Sequence, residues 1–411
     1  MQAARRRISK TRRSSNEWIA RGVAAALISA LGLYSVTFSI GQVVAKADPG
    51  LAHRLAPYNA HVDSLFAKSL SGAAASVLDR RHADLSALAA LRRDPTMVVA
   101  VSTLGLNAQL RGDTDLAQRW FAYSETLSRR DITTQLWLIE NAVGRGDIAG
   151  ALRHYDVALR TSPKAAQVLF PVLTSASADP AIRTALIRTL TARPSWSEGF
   201  LNYVAGSQAA PGVIAELFLG LRRAGVIVPD NARASLVGKL IAAESLDDAW
   251  AYYAGSHPGA DRRRSRDPQF TNAETPSLLD WVATTDNSMT VSIQRGASGG
   301  VVEFSAPSSV GGVVLEQVQL LPPGSYRIKG HSNGIDQVEA SLPYWRMTCR
   351  DGREIGRVPV SKSNYAEGIF DGQFSIPIGC PVQNLSLIVR PSESVSGVFG
   401  QIDLVQLAPL K

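Results

Sequence analysis

The chain has 411 residues, 45% hydrophobic and 19% charged, with a formal net charge of +8. That length allows more than one domain with its own core, and that balance excludes wholesale disorder. Seven basic residues, Arg5, Arg6, Arg7, Lys10, Arg12, Arg13 and Arg21, stand in residues 1–21 against one acid, Glu17, so this tail carries +6 and the other 390 residues only +2. A body so close to neutral excludes a general phosphate-binding surface and, with it, nucleic acid as a partner.

Behind the basic tail (1–21), residues 22–45 form a run of 24 without a charged side chain. At about 1.5 Å per residue a helix of that length crosses a hydrocarbon core of about 30 Å. Trp18 stands at its entrance, where amphipathic rings favour the interface. With basic residues on one flank and only Lys46 just beyond the other, the positive-inside rule predicts a cytoplasmic N-terminus and export of residues 46–411. Ala45-Lys46-Ala47 also fits the small-x-small pattern of a signal-peptidase site, which leaves a cleaved leader as the alternative. The run is longer than the usual leader core of about 7–15 residues, which favours a retained signal anchor. The only cysteines, Cys349 and Cys380, both follow this segment. In an oxidising compartment they predict one disulfide, closing a loop of about 30 residues and contributing on the order of 3–4 kcal/mol; two buried free thiols are the alternative.

Residues 48–255 read as helices. Arg111-Gly112-Asp113 recurs 34 residues later as Arg145-Gly146-Asp147, and at the same offset Ala117 matches Ala151 and Phe121 matches Tyr155. A period of 34 is the length of a helix-turn-helix repeat that packs small residues at close crossings around one aromatic. On Leu104-Gly105, Ala117 and Phe121, then Leu138, Ala151, Tyr155, Ala158 and Pro163, residues 98–131 and 132–165 resemble two tetratricopeptide repeats. Ile139 and Arg129 depart from the pattern, and Ala83, Ala90 and Pro95 suggest a partial repeat before them. The resemblance implies a solenoid whose groove is lined by the first helix of each repeat, and Gln109 and Glu140 hold groove positions, with an ordinary solvated surface as the alternative. Further on, Pro171, Pro180, Pro194, Pro211 and Pro229 predict helix breaks.

Residues 256–270 lose all apolar periodicity and carry Arg262, Arg263, Arg264 and Arg266 among Pro-flanked turns, which predicts a domain linker. A basic patch for an anionic glycan or lipid headgroup is the functional alternative. From 271 to 411 the period switches to two, in segments such as 300–305, 313–321, 325–332, 344–350 and 385–390, separated by Gly, Pro, Ser and Asn. This predicts an all-β sandwich or jelly roll. The expected fold class is therefore multidomain α plus all-β: a transmembrane helix, an α-helical solenoid and a C-terminal β-sandwich.

Asp280-Trp281, the Gly324–Tyr326 strand entry and the closing Ile402-Asp403-x-Val405-x-Leu407 give this last third a resemblance to β-sandwiches of the carbohydrate-binding-module type. The resemblance implies aromatic rings that stack on sugar faces, and Trp281, Tyr326, Tyr344, Trp345 and Tyr365 are the candidates. Adjacent strand residues face opposite ways, so only one of Tyr344 and Trp345 can point into the core. For each ring singly, core packing is the commoner fate.

Nothing in the sequence carries catalysis. The six histidines are scattered without a metal-ligand spacing, and no nucleophile elbow occurs. The glycine-rich stretch 295–300 lies between strands, as a hairpin loop, with no Gly-Lys-[Ser/Thr] after it. No catalytic site, metal or cofactor is expected. Anchor, helical repeats and sandwich together resemble accessory proteins of bacterial surface-polysaccharide assembly. That resemblance implies a non-catalytic scaffold in the bacterial inner membrane, with its bulk periplasmic, an envelope protein as partner and polysaccharide as a second. A glycan-active enzyme with an unrecognised site, or a purely structural oligomerisation module, is the alternative.

Overall fold

The structure, a computed structural model, describes residues 15–272, 275–284, 288–296 and 299–410. Arg5, Arg6, Arg7, Lys10, Arg12 and Arg13 of the basic tail, and Ala297 and Ser298 of the glycine-rich stretch, lie outside the described residues. The fold is multidomain α plus all-β, as the change of period predicts, and the chain forms two compact units, Met1–Ala165 and Ala166–Lys411.

Among the described residues, the first unit holds eight helices: α1 (Ser15–Val44), α2 (Pro49–Leu55), α3 (Ala60–Ser69), α4 (Val77–Arg93), α5 (Val98–Leu110), α6 (Thr114–Leu127), α7 (Ile132–Gly144) and α8 (Ile148–Thr161). Helix α1 has 30 residues with a mean hydropathy of 1.9 over its best 18, long and apolar enough to cross a membrane by length and composition. Its side chains are exposed almost throughout. Packing begins toward its C-terminal end: Tyr34 stacks on Tyr58 with ring centroids 5.4 Å apart, and Gly41, with Ala45 just beyond the helix, is buried against Ala52, Ala56 and Val62.

From α5 to α8 the 34-residue offset is the offset of the helices themselves: α7 and α8 begin and end 34 residues after α5 and α6. The repeated Arg-Gly-Asp is the turn between the helices of each pair. Gly112 and Gly146 take φ of +82° and +71°, a left-handed conformation that ends a helix cheaply only at glycine. Asp113 and Asp147 then cap α6 and α8, accepting from the backbone N–H of Leu116 and Gly150. At the crossing of α5 and α6, a Cβ on Gly105 would sit 2.9 Å from the Phe121 ring, so the glycine makes room for the aromatic that fills the pair. Phe121 in turn stacks on Trp137 of α7 at 4.7 Å.

The second unit opens with α9 (Ala165–Ala176), α10 (Pro180–Thr191), α11 (Ser197–Gly206), α12 (Pro211–Arg223), α13 (Asp230–Ala242) and α14 (Leu246–Ser256). Pro180 and Pro211 start helices, Pro229 caps α13 and Pro194 lies between α10 and α11, but Pro171 breaks nothing. It sits inside α9 on the exposed face, where water can satisfy the carbonyl that loses its helical N–H.

Among the described residues, the sandwich has ten strands: β1 (Val282–Ala283), β2 (Thr290–Gly296), β3 (Gly299–Ala306), β4 (Gly312–Gln319), β5 (Gly324–Asn333), β6 (Tyr344–Cys349), β7 (Glu354–Pro359), β8 (Ile369–Ile376), β9 (Gln383–Val389) and β10 (Val398–Pro409). They form two five-stranded antiparallel sheets, ordered β1-β4-β9-β6-β7 and β2-β3-β10-β5-β8. One core of inward side chains fills the space between them, with Trp345, Trp281, Tyr326 and Phe370 among the largest.

The segment 256–270 is not a free linker. Residues 265–268 run beside the end of β10: Ser265 N–H donates to Leu407 O, and Val405 N–H donates to Pro268 O. Arg262 donates to Leu320 O and pairs with Asp247, and Arg264 pairs with Asp261. Arg266 is buried. Its guanidinium donates to Leu279 O at 2.8 Å, to Gln319 Oε1 at 2.7 Å and to Val318 O. A charge read as solvated is thus a clasp, because three acceptors converge on it.

Candidate functional site

Antiparallel pairing sorts the loops of the sandwich to its two ends. Connections 320–323, 350–353 and 377–382 lie at one end, and 307–311, 334–343, 360–368 and 390–397 at the other. The first end meets α13, with a cavity of about 440 Å³ bordered by Glu244, Leu246, Arg350 and Asp351. Arg350 donates to Ile241 O of α13 at 2.8 Å, and Cys349 and Cys380 form a disulfide there. Beneath it Tyr253 of α14 donates to Asp280 at 2.6 Å, and Asp280 also accepts from the Ser277 N–H and hydroxyl. Burial, reinforced by the Asp280 carboxylate, pushes the Tyr253 phenol far above its ordinary value, and burial brings the Arg266 guanidinium down to about 10, still charged at neutral pH.

The second end is open, and large apolar side chains collect there. Val338, Tyr365, Ile369, Val395 and Phe399 are all exposed at it. Phe399 borders a cleft of about 410 Å³ on the outer face of the β2-β3-β10-β5-β8 sheet. Two cross-strand rows make its floor. Thr290, Ser305 and Phe399 are directly opposed across β2, β3 and β10; Ser292, Glu303, Gln401 and Asn333 are opposed across β2, β3, β10 and β5. Glu303 is held by Gln401 at 2.6 Å and by Gln294 on its other oxygen. Phe399 is 50% exposed, a ring face beside hydroxyls, amides and one fixed carboxylate. That combination can stack on the C–H face of a sugar while binding its hydroxyls.

Of the five sequence-predicted sugar contacts, four are placed elsewhere. Trp281, Tyr326 and Trp345 are core side chains; the Trp281 indole donates to Asp267 O, and the Tyr326 hydroxyl to Pro322 O. Tyr344 is the outward member of its pair, as strand alternation requires, but Arg357 and Arg390 lie over its ring at 5.0 and 4.5 Å and bury it. Tyr365 is 72% exposed, at the open end. Phe399 was missed from sequence, since an unpaired residue near Asp403 changes the strand's parity. In the helical repeats, Gln109 accepts from the Trp137 indole at 2.9 Å, tying first helix to first helix, whereas Glu140 is exposed. Among the described residues, no three metal-ligating side chains come together.

No protein-family model and no curated protein matches the chain. Among solved structures, similar chains include the enzymatically active domain of tailspike protein 4 of bacteriophage CBA120, at 14% identity and a TM-score of 0.25 over 35% of this chain and 20% of that one. Another is the glycosylation-associated protein (Gap123) complex of Streptococcus agalactiae, at 12% identity and a TM-score of 0.22 over 32% of this chain and 44% of that one. A third is the complex of accessory secretory proteins 1, 2 and 3 of Streptococcus pneumoniae, at 14% and 0.22 over 31% of this chain and 90% of that one. The chain thus spans a fifth and less than half of the first two. Likeness at this level assigns no activity.

Proposed function

We propose that the protein is a non-catalytic, membrane-anchored scaffold of the bacterial envelope, with α1 as its anchor, its N-terminus cytoplasmic and its bulk periplasmic. Its tetratricopeptide-like helix pairs bind an envelope protein, and its sandwich holds a saccharide at the open end. The role is that of an accessory in surface-polysaccharide assembly or export. The reading draws on the apolar α1, the disulfide beyond it and the 34-residue helix pairs. The observation that carries the sugar assignment is Phe399, an exposed ring set among the rows of Thr290, Ser292, Glu303, Ser305, Gln401 and Asn333, with Tyr365 on a loop of the same end.

The test is a binding panel of neutral envelope polysaccharides against the full chain in detergent micelles. A neutral glycan should bind, and Phe399→Ala should weaken it about tenfold or more while leaving the melting midpoint in place. Binding to no glycan would remove the sugar role and leave a structural module. New reducing ends, abolished by Glu303→Gln, would make the protein an enzyme instead.

A further inference from the structure

The outer face of the β1-β4-β9-β6-β7 sheet offers different chemistry from the Phe399 cleft. Trp345 and Met347 of β6 point into the core, so Tyr344, Arg346 and Thr348 point out. The register sets Arg357 of β7 directly opposite Arg346, and Arg390 follows β9 on the same face. Two acids share the face. Glu354 is occupied by Arg357 through bonds of 2.6 and 2.9 Å, and Glu316 lies in the row of Arg346 but on the far side of Ser386. Arg390 donates to Ala340 O at 3.2 Å. Arg346 makes no hydrogen bond or ion pair among the described residues, although, behind the bonds from Arg357, its charge helps hold the Glu354 carboxyl below its usual range, and its Nε is buried without a partner.

Like charges directly opposed across two strands repel, and the carboxylate bonds that Glu354 makes go to Arg357, so an added anion on the outer nitrogens of Arg346 stabilises this arrangement. We propose that this face binds the carboxylate of an acidic saccharide, with Arg346 as the fork that takes the carboxylate and Thr348 beside it for a sugar hydroxyl. Guanidinium geometry matches a carboxylate in two parallel bonds. A protein partner fits less well. The Tyr344 ring on this face is already covered by Arg357 and Arg390, and a protein interface needs a buried apolar centre. The site stands apart from the Phe399 cleft, on the other sheet, and does not depend on it.

Titration of the full chain in detergent micelles with polygalacturonate tests the proposal, with dextran as the neutral control and polyglutamate as the acidic peptide control. Polygalacturonate should bind in a salt-sensitive way. Arg346→Gln should weaken it at least tenfold with an unchanged melting midpoint, Arg346→Lys should recover part of the loss, and Phe399→Ala should leave it intact. Equal binding by Arg346→Gln, equal binding of dextran, or tighter binding of polyglutamate would each overturn it.

Discussion

The two compact units hold themselves together by different means. In the first, the helix pairs α5–α6 and α7–α8 are built from neighbours in sequence: a glycine turn and an aspartate cap in each, and in α5–α6 an aromatic against a glycine. In the second, helix α14 and the sandwich are joined by side chains far apart in sequence, with Arg266 reaching Gln319 and Tyr253 reaching Asp280. The first design tolerates drift, because each pair packs on its immediate neighbours in sequence, as Phe121 does on Trp137 of the next pair. The second concentrates many obligations on a few buried polar groups, and removing one leaves the others unpaired.

The contrast is broken most directly at Arg266. Arg266→Met keeps much of the volume but strands the carbonyls of Leu279 and Val318 and the amide of Gln319. Breaking a buried charged network of this kind costs about 3–5 kcal/mol, and chemical denaturation followed by tryptophan fluorescence should show that loss. Because the network joins α14 to the sandwich, the transition should also lose cooperativity. A loss below about 1 kcal/mol would mean that the clasp is ornamental.

In the first unit the matching lesion is Gly105→Ala. The added Cβ meets the Phe121 ring at 2.9 Å, so the ring must shift. Overpacking costs about 1–3 kcal/mol, offset by about 0.5–1 kcal/mol from replacing glycine inside a helix, so a net loss near 1 kcal/mol is expected. Phe121→Leu in the same chain should relieve the clash, making the double variant more stable than the sum of the single losses. A stabilised single variant would show that the pair has slack.

The same contrast governs what could be read from sequence. The Arg-Gly-Asp turns were legible because a left-handed glycine and a capping aspartate are local requirements, and their repetition gave the helix pairs their spacing. Strand alternation correctly said that Tyr344 and Trp345 part ways. Which of them is inside depends on pairing with β7 and β9, which no local pattern records. In β10, counting back from Leu407 and Val405 puts Phe399 in the core. The register shift between Ile402 and Leu404 reverses that parity and turns the ring outward. Strand β7 went unread because EIGRVP is an edge strand with charges and a proline. Arg266 was hidden among four arginines, three of them at the surface; only the distant acceptors on β4 and at Leu279 single it out.

The smallest expected effect again sets local against long-range. His154 of α8 bonds to Gln135 at 3.0 Å, and burial holds its pKa below the usual histidine value, with Glu125 at 3.7 Å pulling weakly the other way. Above about pH 6.5 the imidazole is neutral in both folded and unfolded chains, so it exerts no pH dependence. As pH falls through that value the unfolded chain takes up the proton first, and stability drains away until the folded-state pKa is reached. Unfolding midpoints at pH 7.5 and 5.5 should therefore separate more for the native chain than for His154→Gln, with the difference confined to the transition of the first unit. An equal separation in both chains would place the acid sensitivity elsewhere, and a difference carried by the sandwich transition would mean that the two units are not as independent in stability as their construction implies.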